Sequence, residues 1–387
     1  MNEIRIGIAG IGNMGSSHAK KLSEGRVPGA RLCAVADRKA RRREWAENTF
    51  GGGIEIYSEA DDMIKRADID AVIVAVPHYD HPRLVMEALA NGRHVMCEKP
   101  AGVYTKHVRE MNEFAKKQDK TFAMMFNQRT NCVFRKMKEM VDGGDIGDIK
   151  RVNWIITDWY RTQYYYDSGD WRATWSGEGG GVLLNQCPHN LDLLQWICGM
   201  PQSVQAFCHE GKWHDIEVED DVTAYLEYAN GATGVFITST GDAPGTNRFE
   251  ITGTKGTLIC EGAKTLKYIK LDTDEREYCK TASEGFKKPP AQPITEVETD
   301  GLNEQHVGVL KAFVNHILNG EPLVAQGQEG INGLSLSNAM HLSSWLNKKI
   351  TFPLDEELFY SELSKRIAGS QKKKDNGGKV LDTEGSY

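Results

Sequence analysis

The chain has 387 residues, of which 40% are hydrophobic and 26% are charged, and its formal net charge is −7. This length supports two domains, and the acidic balance argues against nucleic acid or an anionic membrane as the main partner, because both reward a basic surface. No apolar run suits a signal peptide or a membrane span, and the eight cysteines show neither CxxC nor metal-ligand spacing, so we expect a reduced cytoplasmic protein without a metal site.

The first part of the chain alternates short apolar runs with helical patterns. Apolar residues recur at i, i+3 and i+4 in 83–91 and 106–117, which is typical of helices that pack on one face. Strands that alternate with helices form a parallel sheet, so we expect an α/β domain over residues 1–126. The predicted buried strands are 4–9, 31–36, 71–76, 94–97 and 121–126.

A glycine-rich turn of the form GxGxxG follows the first predicted strand and precedes a helical pattern. Such glycines let the backbone approach a pyrophosphate at a helix N-terminus, where N–H groups favour anions. Asp37 ends the second strand, where its carboxylate can accept both ribose hydroxyls and would repel a 2′-phosphate. The sequence therefore predicts a site for NAD rather than NADP, although Arg38 can stack on adenine or meet a phosphate. The candidate contacts in the turn are Gly10, Gly12, Asn13, Met14 and Gly15.

Two further segments follow predicted strands at the carboxyl edge of the sheet, where open α/β folds bind ligands. Pro77, His78 and His81 belong to one such loop, and we expect them to line the cofactor site; a simple proline turn is the alternative. Glu98 and Lys99 end the next strand, and we expect both to line the cofactor site in the same crevice, with Lys99 near the nicotinamide; a solvated surface lysine is the alternative.

From about Asp148 the pattern changes to strands joined by tight turns. Residues 222–228 and 235–239 flank an Asn-Gly pair, a typical hairpin turn, and a second hairpin is predicted at 249–260. Successive hairpins form an antiparallel sheet, so this half is α+β. We expect a second domain over 127–350, whose last helix can pack back on the first domain. The remaining predicted segments are helices at 307–318 and 330–346, a surface loop at 280–300, and a tail at 369–387 that is flexible or an arm against another subunit.

A glycine-rich entry at 179–181 leads into a segment that carries three polar side chains. Asn185, His189 and Asp192 are spaced i, i+4 and i+7, so a helix would place them within about 60° of each other. Pro188 lacks an N–H and crowds the carbonyl four residues earlier, so the helix must kink there or begin afresh. Such a helix can pack on one side and present an imidazole to a ligand on the other.

Aromatic rings, arginines and aspartates are concentrated upstream of that segment. Apolar faces of sugars stack on such rings while polar side chains bind the hydroxyls; a core or interface cluster is the alternative. The candidate sugar contacts are Trp159, Tyr160, Arg161, Trp171 and Arg172.

In this order, the motifs resemble those of the Gfo/Idh/MocA family of NAD(P)-dependent sugar and cyclitol dehydrogenases over roughly residues 3–350. The resemblance implies an N-terminal Rossmann domain and a C-terminal α/β domain built on a large open, mostly antiparallel sheet. It also implies a cis peptide bond before Pro100, and a homodimer or homotetramer formed through that sheet. The motifs are the GxGxxG turn, Asp37, the 77–81 loop, Glu98-Lys99-Pro100, 127–129, 179–192 and Gly253-Thr254-Lys255-Gly256.

By the same resemblance, Lys99 and His189 take the catalytic positions. His189 would be the general base for the substrate hydroxyl, and Lys99 would hydrogen-bond that hydroxyl while hydride passes to the nicotinamide. Asn185, Asn127 and Arg129 are expected to contact the substrate. Many relatives carry Asp at the position of Asn185, and an amide can orient a hydroxyl but cannot take its proton.

Three functions stay open at this point. The first is an NAD-dependent dehydrogenase for a secondary hydroxyl of a pyranoside or cyclitol, with C3 of a glucoside as one option. The second is a redox-neutral glycosidase or lyase that retains its NAD and acts through a 3-keto intermediate. The third is a non-catalytic, NAD-bound regulatory protein.

Overall fold

The first sheet has six parallel strands in the computed structural model, which describes residues 3–371. Their spatial order is β3-β2-β1-β4-β5-β6, so the order changes direction between β1 and β4. In sheets of this kind the crevice at that point binds the ligand. The strands are β1 (Ile4–Ala9), β2 (Ala30–Ala36), β3 (Glu55–Tyr57), β4 (Ala71–Val74), β5 (His94–Cys97) and β6 (Phe122–Met124).

Helices cover both faces of this sheet. One apolar core includes residues of α1 and α2, and a second includes residues of α3, α4 and α5. The sequence prediction lacked α2, β3 and α3, because α2 buries only Ala46 and β3 has three residues, which leaves no clear periodicity. The helices are α1 (Asn13–Ser23), α2 (Ala40–Phe50), α3 (Ala60–Arg66), α4 (His81–Ala90) and α5 (Thr105–Ala115).

The second sheet has nine strands in the order β14-β13-β12-β11-β7-β10-β9-β8-β15. Only the β7–β10 pair is parallel among the described strands of this sheet. Both predicted hairpins are present, and Gly231 in the first has a φ of +86°, which glycine adopts without strain. The strands are β7 (Ile149–Ile156), β8 (Ser203–Glu210), β9 (Glu219–Glu227), β10 (Thr233–Ser239), β11 (Asn247–Gly253), β12 (Gly256–Glu261), β13 (Thr265–Lys270), β14 (Thr295–Glu296) and β15 (Ile350–Thr351).

Helices cover one face of the second sheet. The side chains of Trp154 and Phe236 are fully buried on that face, while Ile155 and Phe207 on the opposite face are 36% and 54% exposed. Both predicted closing helices are present; α10 packs into the core of the first sheet, and α11 packs against β8 and α8. The helices are α6 (Cys132–Asp142), α7 (Gln163–Tyr166), α8 (Pro188–Cys198), α9 (Glu275–Thr281), α10 (Gln305–Asn319), α11 (Gly330–Leu346) and α12 (Glu356–Gly369).

The predicted tail falls mostly outside the described residues. Its first residues are described: Gly369 ends α12, and Ser370 and Gln371 donate hydrogen bonds to the Glu217 carboxylate. Within 3–371, no helix is both long and apolar enough to cross a membrane.

Candidate active site

A cavity of about 680 Å³ opens at the carboxyl edge of the first sheet and extends to the second half of the chain. This volume is ordinary for a small-molecule site. We call the part around the GxGxxG turn and Asp37 the cofactor end. The other part, the chemical end, is lined by Lys99, Trp159, Arg161, Tyr165, Trp171, Arg172, Asn185, Gln186 and His189.

The GxGxxG turn brings the backbone to the cavity wall. Gly10 has a φ of +86°, and a Cβ there would lie 2.6 Å from the carbonyl oxygen of Ala75. A Cβ on Gly12 would meet only open space, and α1 begins at Asn13. Gly15 was predicted to contact the cofactor, but it does not line the cavity. Its lack of a side chain lets α1 pack closely against the turn, since a Cβ there would lie 1.8 Å from the Gly10 carbonyl oxygen. The cradle fits a pyrophosphate at a helix N-terminus.

Asp37 lies at the end of β2 and faces the cofactor end. Its two carboxylate oxygens accept one backbone N–H each, from Ile11 at 3.0 Å and Lys39 at 2.8 Å. Each oxygen keeps a lone pair for a ribose hydroxyl. Arg38 also lines the cavity and donates to the Glu59 carboxylate at 3.0 Å. This end therefore has the donors and acceptors that the adenosine half of a dinucleotide needs.

The loop after β4 places Pro77, His78 and His81 on the cavity wall, together with Asn13 and Met14 from the GxGxxG turn. The ring nitrogens of His81 lie 2.7 Å from the carbonyl oxygens of Pro100 and Val76, so His81 ties this loop to the end of β5. Burial lowers the pKa of His78 and of His81.

Glu98 joins the cavity to a buried histidine that the sequence reasoning missed. The His18 Nε2 atom lies 2.7 Å from a Glu98 carboxylate oxygen, and both side chains are buried. Burial raises the pKa of Glu98, but the hydrogen bond from His18 and the nearby positive charges outweigh burial and lower it to about 2. His18 follows the last glycine of the turn by three residues, a spacing that could have drawn attention to it.

Lys99 follows β5, and the Lys99–Pro100 peptide bond is cis, as the resemblance implied. The Lys99 Nζ atom donates to the backbone carbonyl of Asn185 at 2.9 Å. Burial lowers the pKa of Lys99; the negative charges of Glu98 and Glu178 oppose this shift, and the positive charges of Arg172 and Arg161 add to it. A lysine held in this way can polarise a bound hydroxyl.

His189 lies in the first turn of α8 and is 5% exposed. Neither ring nitrogen has a hydrogen-bond partner among residues 3–371, which is uncommon for a buried polar group and indicates a ligand site. Burial and the charge of Lys99 lower the pKa of His189 well below its ordinary value. A neutral imidazole in this position can accept a proton.

The predicted stripe of Asn185, His189 and Asp192 is not formed. The helix begins afresh at Pro188, so Asn185 lies in the preceding turn and Asp192 faces away from the cavity. Asp192 accepts two hydrogen bonds from Arg129, at 2.7 and 2.8 Å.

Three predicted substrate contacts lie outside the cavity. Arg129 is 3% exposed, and its guanidinium also pairs with Glu329 at 2.7 Å, so it braces the interior. Asn127 is fully buried and donates to the Gln305 side chain. Tyr160 is 50% exposed and does not line the cavity, whereas its neighbours Trp159 and Arg161 do. The composition of a loop does not show which of its side chains face the cavity.

Two buried carboxylates that the sequence reasoning missed position the chemical end. The Glu219 carboxylate accepts N–H groups of Gly181 and Leu183 at 2.9–3.0 Å, which anchors the glycine-rich entry. The Glu178 carboxylate accepts the N–H of Ala173 and the side-chain amide of Asn185. The Asn185 amide is thereby oriented, and its Oδ1 atom is left as an acceptor.

Comparison with known proteins agrees with this geometry. A family model described as "Oxidoreductase family, NAD-binding Rossmann fold" (GFO_IDH_MocA) matches residues 4–126, and the "GFO/IDH/MocA C-terminal domain" model matches 134–259. Myo-inositol 2-dehydrogenase of Thermotoga maritima is 27% identical over 91% of this chain and 99% of its own length. Inositol 2-dehydrogenase of Rhizobium meliloti is 24% identical over 87% and 95%.

Solved structures also superpose on the whole fold. The WlbA dehydrogenase of Chromobacterium violaceum, in complex with NADH and UDP-GlcNAcA, has 28% identity and a TM-score of 0.78, covering 92% of this chain and 97% of its own. Levoglucosan dehydrogenase with NADH has 20% identity and a TM-score of 0.76, over 91% and 100%, which is a likeness of fold. The chain therefore belongs to the Gfo/Idh/MocA family of oxidoreductases, and its cofactor is NAD.

Proposed function

We propose that this protein is a dehydrogenase that oxidises a secondary hydroxyl of a pyranoside or cyclitol at the chemical end of the cavity. The observation that carries the proposal is that Lys99 and His189 line the same cavity. Both ring nitrogens of His189 are buried and have no hydrogen-bond partner among the described residues. The same cavity contains the GxGxxG turn and Asp37, so one space serves a cofactor and a reactive hydroxyl.

The residue types fit the chemistry of hydroxyl oxidation. NAD, when bound, accepts the hydride. His189 is neutral near pH 7 because burial lowers its pKa, so it accepts the proton of the substrate hydroxyl. Lys99 donates a hydrogen bond to the same oxygen and stabilises the negative charge that develops there. Asn185 holds Lys99 through its backbone carbonyl and offers its side-chain oxygen to a neighbouring hydroxyl.

The names of the relatives support this substrate class. The full-length relatives include two inositol dehydrogenases, and the two superposed structures were solved with NADH, one of them also with UDP-GlcNAcA. Trp159 and Trp171 at the chemical end supply the apolar surfaces on which a sugar ring stacks.

A panel assay tests the proposal. The full chain is incubated with NAD and with cyclitols, free sugars and methyl glycosides, and both NADH absorbance and the sugar products are followed. We expect NADH to form with at least one member. Glycoside cleavage without net NADH would support a redox-neutral glycosidase instead. Neither NADH nor product across the panel would contradict the proposal.

We also propose that the exposed face of the second sheet forms a homodimer or homotetramer. Phe207, Thr223 and Ile155 lie in one cross-strand row on that face, and Tyr225 lies beside it. Phe207 and Tyr225 are 54% and 42% exposed in the single chain, and exposed apolar patches of this kind mark association surfaces. Light scattering after size exclusion tests this, and Phe207→Asp should shift the mass toward the monomer.

A further inference from the structure

Three positively charged side chains, Lys99, Arg161 and Arg172, line the chemical end of the cavity. Two acidic residues close to them in sequence, Glu98 and Asp170, line the same cavity. Both acids already have partners: Glu98 pairs with His18, and Asp170 pairs with Lys39 at 3.5 Å. The pKa of Lys99 is raised by Glu98 and Glu178 and lowered by Arg172 and Arg161, so the three cations lie within electrostatic reach of one another.

Aromatic rings pack against both arginines. The Arg172 guanidinium lies 4.3 Å from the Tyr165 ring centre and 4.8 Å from that of Trp171. The Arg161 guanidinium lies 5.2 Å from the same Tyr165 ring and 5.6 Å from that of Trp159. Tyr165 thus brings two guanidiniums together without an acid between them, an arrangement with little conformational freedom left to lose on binding.

Much of the hydrogen-bonding capacity of these guanidiniums is unused among the described residues. Arg172 donates to the Tyr165 hydroxyl at 2.6 Å, and its Nε atom is buried without a partner among residues 3–371. Arg161 donates from one terminal nitrogen to the carbonyls of Trp159 and Tyr160. Each guanidinium has five N–H donors, so a ligand can accept from both.

Among the described residues, Glu178 is the acid that pairs with Arg172, and it does not line the cavity. Its oxygen is 3.7 Å from an Arg172 nitrogen, and its carboxylate accepts from Ala173 and Asn185. Burial raises the pKa of Glu178, and the charge of Arg172 opposes that shift.

We propose that the substrate is an anionic sugar, and that its carboxylate or phosphate group lies between Arg161 and Arg172. This inference rests on the proposed function and narrows its substrate class. An anion supplies paired, charge-assisted hydrogen bonds to planar guanidiniums, which a neutral hydroxyl does not. It also orients the sugar, because one end is held at the arginines while a ring hydroxyl lies at Lys99 and His189.

The test compares matched sugars on the full chain loaded with NADH. Calorimetry measures the binding of methyl glucoside, methyl glucuronide and glucose 6-phosphate, and of the corresponding galactose and inositol sets. We expect the acidic member of at least one set to bind about tenfold or more tightly than its neutral partner. The carboxylate and phosphate arms decide which anion the site takes.

Two variants assign the preference to the arginines. Arg161→Gln should reduce the acid-over-neutral ratio to within about threefold, since one of the two charges is lost. Arg276→Gln removes the same charge from the exposed helix α9 and should leave the ratio unchanged. NADH binding to each variant, measured by fluorescence, checks that it is folded.

Every outcome decides the inference separately from the proposed function. The inference is overturned if neutral sugars bind as tightly as their acidic partners, or if no acidic member binds. Oxidation of neutral sugars with equal kcat/KM would leave the proposed function standing and remove the anionic class. Tight, Arg161-dependent binding of acids without any NADH formation from NAD would leave the anion site standing and remove the dehydrogenase.

Discussion

The two ends of the cavity are built in different ways. At the cofactor end, the turn from Gly10 to Gly15 and the carboxylate of Asp37 come from two neighbouring parallel strands and the first helix. At the chemical end, Lys99 comes from the first sheet, and Arg161, Arg172 and His189 come from loops and a helix of the second half. One end is a local motif, and the other is assembled from distant segments.

The two ends therefore differ in which substitutions they tolerate. The cofactor end depends on backbone approach and a short spacing, so its geometry follows from the fold of one domain. The chemical end depends on buried contacts such as Glu219 with the 181–183 backbone and Glu178 with Asn185. Substrate preference can therefore vary through the loops at 159–175, while NAD binding stays fixed.

The largest expected effect separates the two ends. His189→Ala or Lys99→Met should lower kcat by about 10²–10⁴ because the base or the polarising cation is lost. NAD affinity should change by less than about threefold, since neither change touches the GxGxxG turn. Steady-state kinetics with titration of NAD measures both, and Lys287→Met on the exposed loop is the matched control for the lysine. An active His189→Ala enzyme would contradict the assignment of the base.

A substitution at Asp37 should instead weaken cofactor binding and leave the chemical end intact. Asp37→Ala should weaken NAD by about 10- to 100-fold, because charged hydrogen bonds of this kind contribute roughly 1.5–3 kcal/mol. NADP should lose much less, since its 2′-phosphate is repelled by the native carboxylate. Asp37→Asn retains an acceptor for the Ile11 N–H, so its NAD affinity should lie between those of the unmodified protein and Asp37→Ala. Equal losses for NAD and NADP would remove Asp37 as the selecting group.

The sequence signals for the cofactor end are local, and the structure brings most of the residues that carry them to one cavity. The GxGxxG turn, the flanking strand and Asp37 lie within 37 residues, and all but Gly15 of the predicted contacts there line the cavity. The second sheet was predicted from two hairpins, although its parallel β7–β10 pair left no local signal.

The errors concern side chains whose partners are remote in sequence. Arg129 pairs with Asp192 and Glu329, which are 63 and 200 residues away in sequence. No local pattern could therefore show that its guanidinium is buried in ion pairs and does not reach the cavity. Glu178 and Glu219 read as ordinary charged residues, yet both are at most 1% exposed. Pro188 was correctly seen as a break, but the spacing of Asn185 suggested a helix that starts too early.

The buried carboxylate of Glu178 supports the chemical end of the cavity, so its loss should affect both stability and turnover. Glu178→Gln should lower the free energy of unfolding by about 1–3 kcal/mol, because one amide oxygen cannot accept from both Ala173 and Asn185. kcat should fall as Asn185 loses its orientation, while NAD affinity is kept. Denaturant unfolding and kinetics measure the two effects, with Glu277→Gln on the exposed surface as control. Unchanged stability and kcat would show that Glu178 does not position the site.

The smallest expected effect is the pH dependence of the chemical end. Burial lowers the pKa of His189 well below its ordinary value, so the base is already neutral at pH 6.5, and kcat/KM should be flat from there up to the pH at which Lys99 begins to lose its proton. Lys99 must stay protonated to stabilise the developing negative charge. Burial lowers its pKa from 10.5, so activity should fall at an alkaline pH that lies below the pKa of a free lysine. Lys99→Arg carries a group with a pKa above about 12; whatever its maximal rate, its alkaline limb should move to higher pH. An alkaline limb at the same pH in both enzymes would mean that another group loses the proton, and Lys99 would then be a positioning residue for Asn185.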